Sequence, residues 1–247
     1  MRFYHVSSIV FCALVLAVAS VPAFAAIVIS PVRIIYDAAK GEATVRLINE
    51  SQAPDLVQSW LDTGSSQDAR NVEVPFIVSP PLVRVDPGKT QTLRIVYSGE
   101  PLPQDRESVF WLNVLAAPPQ GDASAGASVM QLSVRTRLKM IYRPAGLSGT
   151  AAEAPSRLTW QLAAGARPVL QVSNPTPHHI SFSAVELVSG GQVQAVQDPG
   201  PIAPFETREL PLPQAAIKSA GARVRYQVFN DYGGVNEGEA ALQAPAR

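Results

Sequence analysis

Cysteine occurs once in the 247 residues, as Cys12, and histidine only three times. A single thiol excludes an internal disulfide and any Cys-x-x-Cys redox or metal site. Two of the histidines, His178 and His179, are neighbours in the string "NPTPHH". Adjacent residues of a strand point to opposite faces, so one metal ion would not easily take both rings. A turn leading into a strand is the simpler reading, and no metal site is expected. Charge is sparse too, at 16% of residues, and 20 Lys+Arg balance 20 Asp+Glu. That neutrality argues against bulk binding to nucleic acid or to an anionic membrane. Any charge-based function must be local. Helical periodicity over long stretches is missing, as are the G-x-x-x-x-G-K-[ST] and G-x-G-x-x-G phosphate loops and the G-x-S-x-G nucleophile elbow. The carboxylates are scattered, and nothing marks an active site or a cofactor. The chain reads as a non-enzyme.

What is present begins with "MRFYHVSSIVFCALVLAVASVPAFA". One early cation, an apolar middle and a small-x-small end at Ala23-Phe24-Ala25 are the layout of a secretory signal peptide, cut after Ala25. The apolar middle is short for a membrane-spanning helix; the alternative is a retained anchor, and stable membrane insertion is not expected. Cleavage would remove Cys12, His5 and Arg2 and leave a net charge of −1. Without disulfides, the exported chain must be stable through its cores alone.

From Ile27 onward the sequence reads as short β-runs separated by turns. "IVISPVRIIY", "EATVRLIN", "LVQSWLD", "PFIVSPPLVRV", "TQTLRIVY", "SVFWLNVLA" and "SVMQLSVRTRLKMIY" are about seven strands. Turn chemistry lies between them in "DAAKG", "DPGKT" and "PPQGDASAGAS". Seven strands at this spacing predict an immunoglobulin-like sandwich. "RPAGLSGTAAEAPS" reads as a linker or domain corner, after which the pattern restarts with "RLTWQL", "PVLQVSN", "HISFSAVEL", "QVQAV", "TRELPL", "RVRYQVFN" and "GEAALQ". The expected organisation is a signal at 1–25, a first domain at 26–145, a linker at 146–155 and a second domain at 156–247.

The run "QLSVRTRLKMIYRP" sets Leu132, Val134, Thr136 and Leu138 on one face and Arg135, Arg137 and Lys139 on the other. By periodicity alone, Met130, Leu132 and Val134 could fill the chain's own core, the usual home of such residues.

Seven strings in order, "SPVRIIYDAAKGEATVRLIN", "PDLVQSWLD", "FIVSPPLVRVDPGKTQTLRI", "PQDRESVFWLNVLAAPP", "LSVRTRLKMIYRPAGL", "NPTPHHISF" and "FNDYGG", closely resemble the PapD-like periplasmic pilus chaperones. The resemblance spans Ile27 to Gly234 and is densest in the first domain. It implies an all-β boomerang of two immunoglobulin-like domains with a cleft between them. Its client would be a pilus or fimbrial subunit lacking its last strand. The chaperone would lend a donor strand at about 128–143, with Met130, Leu132 and Val134 as the apolar row. Arg33 and Lys139 align with the cleft cations that hold the subunit's C-terminal carboxylate. Glu107, Arg143 and Asp231 align with a network joining the domains. Pro54, Leu56 and Gln58 fall in the segment facing an outer-membrane usher, although Leu56 and Trp60 could equally be core. Trp60, Phe110, Trp111 and Tyr142 are read as packing, and Arg135 and Arg137 as solvated or rim charges. The implied setting is the periplasm, without ATP, and the free protein could cap itself as a dimer through its donor strands. Relatives with a disulfide in domain two, or with a long cysteine-bracketed loop before the donor strand, differ from this chain. "PPQGDASAGAS" fits the short-loop class that builds rod-like pili. An exported structural or adhesive pilus component is the alternative from another class.

Overall fold

A computed structural model describes residues 27–64, 73–119, 132–163, 168–212 and 221–243. The expected signal peptide, Met130 and most of the Ala/Gly/Ser-rich loop lie outside the described residues. The first half contains β1 (Ile27–Ser30), β2 (Ile34–Asp37), β3 (Glu42–Asn49), β4 (Asp55–Asp62), β5 (Phe76–Ser79), β6 (Leu82–Val85), β7 (Thr90–Tyr97), β8 (Ser108–Ala117) and β9 (Val134–Arg143). They form a four-stranded sheet in the order β1-β3-β7-β5 and a five-stranded sheet in the order β2-β9-β8-β4-β6. All pairings are antiparallel except β2 with β9, which is parallel.

Two runs expected as single strands are each broken in two. "IVISPVRIIY" becomes β1 and β2, and "PFIVSPPLVRV" becomes β5 and β6. Pro31, Pro80 and Pro81 have no amide hydrogen for a ladder, so pairing stops there. In both cases the chain uses the break to cross from the four-stranded to the five-stranded sheet. Period-two alternation then fills the space between the sheets. Val45 and Leu47 of β3, Leu93 and Ile95 of β7, Leu112 of β8 and Met140 of β9 are fully buried and share one cluster. Phe76 lies 4.9–5.8 Å, centroid to centroid, from Tyr36, Phe110 and Tyr142, closing the core at the C-terminal end of β9.

The second half opens with a 3-10 helix (Ala154–Arg157) and continues with β10 (Thr159–Ala163), β11 (Val169–Ser173), β12 (Ile180–Ser189), β13 (Gln192–Ala195), β14 (Pro201–Ile202), β15 (Thr207–Pro211), β16 (Arg223–Phe229) and β17 (Val235–Ala241). A three-stranded sheet β10-β11-β15 faces a sheet in the order β13-β12-β16-β17, with β14 also paired to β12. Trp160 is fully buried and stacks on Tyr226 at 5.7 Å. Ala154, inside the expected linker, packs into this second core. The two buried clusters share no residue.

Separate cores predict separable unfolding. Leu47→Ala should cost the first domain about 2–5 kcal/mol, while a denaturant transition followed at Trp160 stays in place. Equal displacement of both transitions would mean that the two cores unfold as one unit.

Candidate functional site

β9 is the strand on which the site is built. β8 pairs with it along Val134–Tyr142, but β2 covers its other edge only along Met140–Arg143. Among the described residues, therefore, no strand pairs with the outer edge of Val134–Lys139. Along the same stretch the core-facing row runs out of core. Tyr142, Met140 and Leu138 are buried, Thr136 is half-buried, Val134 is 57% exposed and Leu132 is 70% exposed. Leu132 and Val134 thus do not fill the chain's own interior.

The opposite face of β9 carries the cations, and each has a different environment. Arg135 is exposed. Arg137, expected as a solvated or rim charge, is tied down: Nη2 donates to Oδ1 of the fully buried Asp62 at 2.9 Å. Lys139 points towards the second domain, where Nζ donates to Ser181 Oγ at 3.1 Å. Arg33, in the bend just before β2, is 9% exposed and reaches the same Ser181 Oγ through Nη2 at 3.5 Å. Sequence reasoning named Arg33 and Lys139 but not the hydroxyl on which they converge.

Neither cation has a carboxylate at salt-bridge distance among the described residues. Burial pushes Arg33 below its ordinary pKa, partly opposed by Asp231 and Glu107. Burial likewise lowers Lys139, and the neighbouring Arg33 lowers it further. Two desolvated cations sharing one neutral oxygen form a site that an anion would stabilise. They line an open cavity of about 330 Å³ whose remaining wall includes Phe182, Pro201 and Phe229. A larger hollow of about 390 Å³ lies on the second domain's outer sheet, but its charges are paired locally, Arg225 with Glu186 and Arg223 with Glu239.

Glu107, Arg143 and Asp231 do meet. Arg143 Nε donates to Glu107 Oε1 at 2.6 Å, and Nη1 and Nη2 donate to the two Asp231 oxygens at 2.8 and 3.1 Å. The histidine pair, read from sequence as a turn, joins this network. His178 Nδ1 lies 3.1 Å from Glu107 Oε1, and the His179 amide donates to Oε2 at 2.7 Å. Burial would raise Glu107, but the His178 hydrogen bond, Arg143 and the His179 amide outweigh it and hold the carboxyl below its usual range. Arg143 is raised: burial opposes its charge, and the bonds to Asp231 and Glu107 more than restore it.

The remaining expected residues lie elsewhere. Leu56 and Gln58 are exposed on the outward face of β4, with Pro54 half-buried before it, so Leu56 is not core. Trp60 and Trp111 are half-buried on that outward face, whereas Phe110 and Tyr142 pack inside.

Two outcomes follow. Burial depresses His179 from 6.5 to about 4, aided by Lys139 and Arg33 and opposed by Glu107 and Glu206. Above pH 6.5 neither folded nor unfolded ring is protonated; between 6.5 and 4 only the unfolded chain takes up the proton. Stability should therefore fall by on the order of 2–3 kcal/mol across that window. Glu107, also depressed, adds its loss only at lower pH. Denaturant titrations at stepped pH should show this slope, flattened in His179→Gln. Separately, Asp231→Ala should leave both domains folded yet loosen their relative angle. An unchanged small-angle scattering profile would contradict that.

The chain is similar throughout to proteins of one kind. Residues 26–148 match the family described as pili and flagellar-assembly chaperone, PapD N-terminal domain, and residues 153–240 match the pili assembly chaperone PapD C-terminal domain. It is 44% identical to the chaperone protein FimB/FhaD of Bordetella pertussis over 223 residues, 88% of each chain. It is 42% identical to the probable fimbrial chaperone YadV of Escherichia coli, covering 87% of this chain and 89% of that one. The crystal structure of a YadV chaperone superposes with a TM-score of 0.76 at 41% identity, over 88% of this chain and all of the other. The SafB chaperone of Salmonella enterica, solved in complex with the SafA pilin, gives 0.73 at 29% identity, over 90% of this chain and 99% of that chain. On two matched domains and relatives this similar, the chain belongs to the PapD-like family of fimbrial chaperones.

Proposed function

We propose that this chain is a periplasmic chaperone that lends β9 to an incomplete pilus subunit and holds the subunit's C-terminal carboxylate between Arg33 and Lys139. The observation that carries the reading is the outer edge of Val134–Lys139, unpaired among the described residues, flanked by exposed Leu132 and Val134 and ending at the two cations. A guest strand on that edge completes its own sandwich with β9. Burying Leu132 or Val134 in the guest would contribute about 1.5–3 kcal/mol each before association costs. Met130, which the sequence alternation would add to that row, lies outside the described residues. Charge-assisted hydrogen bonds to the carboxylate would add about 1.5–3 kcal/mol apiece. The Glu107–Arg143–Asp231 network keeps the two domains, 26–145 and 156–247, at a fixed angle across the 146–155 connection, so that both cations face one guest.

Release follows at an outer-membrane usher, which Pro54, Leu56 and Gln58 on and before β4 would face. There the next subunit's N-terminal extension replaces the lent strand, so that no ATP is needed. The signal at 1–25 brings the chain to the periplasm. Before a guest arrives, the open edge suits a second copy, giving a self-capped dimer.

Co-expression in a periplasm with a pilus subunit, followed by co-purification, tests the anchor. Arg33→Ala and Lys139→Ala should each abolish recovery of the complex while the chaperone stays soluble. Retention of the subunit by both variants would overturn the reading.

A further inference from the structure

Lys139 has a neighbour that its proposed role leaves unexplained. In the register of the five-stranded sheet, Trp111 of β8 stands directly between Asp62 of β4 and Lys139 of β9. Trp111 has outward parity: Phe110 and Leu112 on either side face the core, while its indole lies half-buried on the other face. Three contacts fix that indole. Arg137 reaches across β8 to Asp62, and its guanidinium carbon sits 5.1 Å from the ring centroid. Asp62 is itself fully buried and also accepts from Asn113 Nδ2 at 2.6 Å and from the Gly64 amide at 2.6 Å. Gly64, at φ +87°, leaves no room on that side: a Cβ there would lie 2.5 Å from Trp111 Nε1. The Lys139 ammonium rests 5.5 Å from the same ring centroid.

We propose that Trp111 is a positioning residue, an indole shelf locked by Asp62 and Arg137 that holds the Lys139 ammonium in the cleft. The proposal rests on reading Lys139 as a carboxylate anchor. A lysine has four rotatable side-chain bonds, and Arg33 beside it repels it. Left alone, the ammonium would swing out into water and would have to be ordered again for each guest. The face of the indole attracts a cation and attracts it more strongly where water is excluded. Lys139 is partly desolvated, as its lowered pKa reflects: burial first, then Arg33. A buried acid with three donors is an expensive way to fix a merely solvated face. It is well suited to fixing an aromatic plane. The cation is thereby pre-organised, and binding loses less rotamer freedom.

The test compares the parent chain with Trp111→Leu, Trp111→Phe and Lys139→Ala. The probe is a synthetic peptide of alternating valine and threonine, made as the free acid and as the C-terminal amide. The parent should prefer the acid. Lys139→Ala should lose that preference, Trp111→Leu should weaken acid binding by about 3- to 20-fold with amide binding unmoved, and Trp111→Phe should retain most of it. No acid preference in the parent, or an undiminished preference in Lys139→Ala, overturns the anchor reading itself. A preference lost in Lys139→Ala but kept in Trp111→Leu overturns the shelf alone. A second readout needs no substitution. The chain has four lysines, Lys40, Lys89, Lys139 and Lys218, and after ¹³C-dimethylation only the Lys139 methyl signals should be displaced by the indole ring current. Lys139 signals at the solvent position in the parent would also overturn the shelf, whether or not Trp111→Leu folds.

Discussion

β9 is longer than the sandwich it closes, and the rest of the site depends on that mismatch. Its last four residues, Met140–Arg143, have a strand on one edge along their length and on the other as far as Tyr142, and Leu138, Met140 and Tyr142 pack into the first core. Its upper half keeps the same alternation but runs past the core that the described residues form, and Val134 and Leu132 are exposed among them. The buried half pins the register of the exposed half. A slip by one residue would turn Met140 outward and swing Lys139 into the core, a costly exchange on both faces. Position and parity of the cleft lysine are therefore set by hydrophobic packing a single residue away.

The outward row of β9 shows how one periodic pattern yields several roles. Arg135, Arg137, Lys139 and Arg143 share a face, and what each does depends on the acid within reach. Arg135 meets solvent. Arg137 finds Asp62, 75 residues earlier in the chain. Arg143 finds Glu107 and Asp231 and ties together elements of both domains. Lys139, though half-buried, finds no carboxylate among the described residues and shares a hydroxyl with Arg33. Ion pairs as buried as these bring modest net stability once desolvation is counted. What they bring is direction: each fixes a side chain that would otherwise wander.

Much of this was legible in the sequence wherever the signal was periodic and local. Strand alternation marked both sandwiches, and the run from Leu132 to Arg143 displayed its two faces openly. The strands of the second domain fell where the pattern restarted after the linker. The legible part ended where prolines intervened, because Pro31 and Pro80 look like turns inside strands and are in fact the points where the chain changes sheets. It ended also where a polar residue broke parity. Asp62 lies on the outward face of β4 and by alternation should be exposed, yet it is fully buried beneath a partner two strands away. His178, His179 and Ser181 meet first-domain residues 42 to 148 positions distant, and no spacing rule reports such meetings. The string that contains them was visible; their partners were not.

On the proposed function, the same geometry sets the direction of a guest strand. β2 runs parallel to β9 and begins its pairing at Ile34 opposite Met140. A guest on the free part of that edge, with its terminal carboxylate at Lys139, must run the same way as β9. It therefore lies end to end with β2, and its last residue abuts Arg33, the residue that precedes β2. On that reading the two cations would flank the joint between β2 and the guest, where a chain end would fit and a continuing chain would meet β2. At about 3.3 Å per residue, Val134 lies roughly 17 Å and Leu132 roughly 23 Å up the strand from Lys139. A fixed terminus then decides which guest residues meet the apolar row. The hydroxyl of Ser181 satisfies the cations only partly, being neutral and offering one oxygen. A carboxylate would offer two oxygens and a charge, so on the proposed function a chain end would be favoured there over the hydroxyl or an internal segment, and its position would set the guest's register against the apolar row.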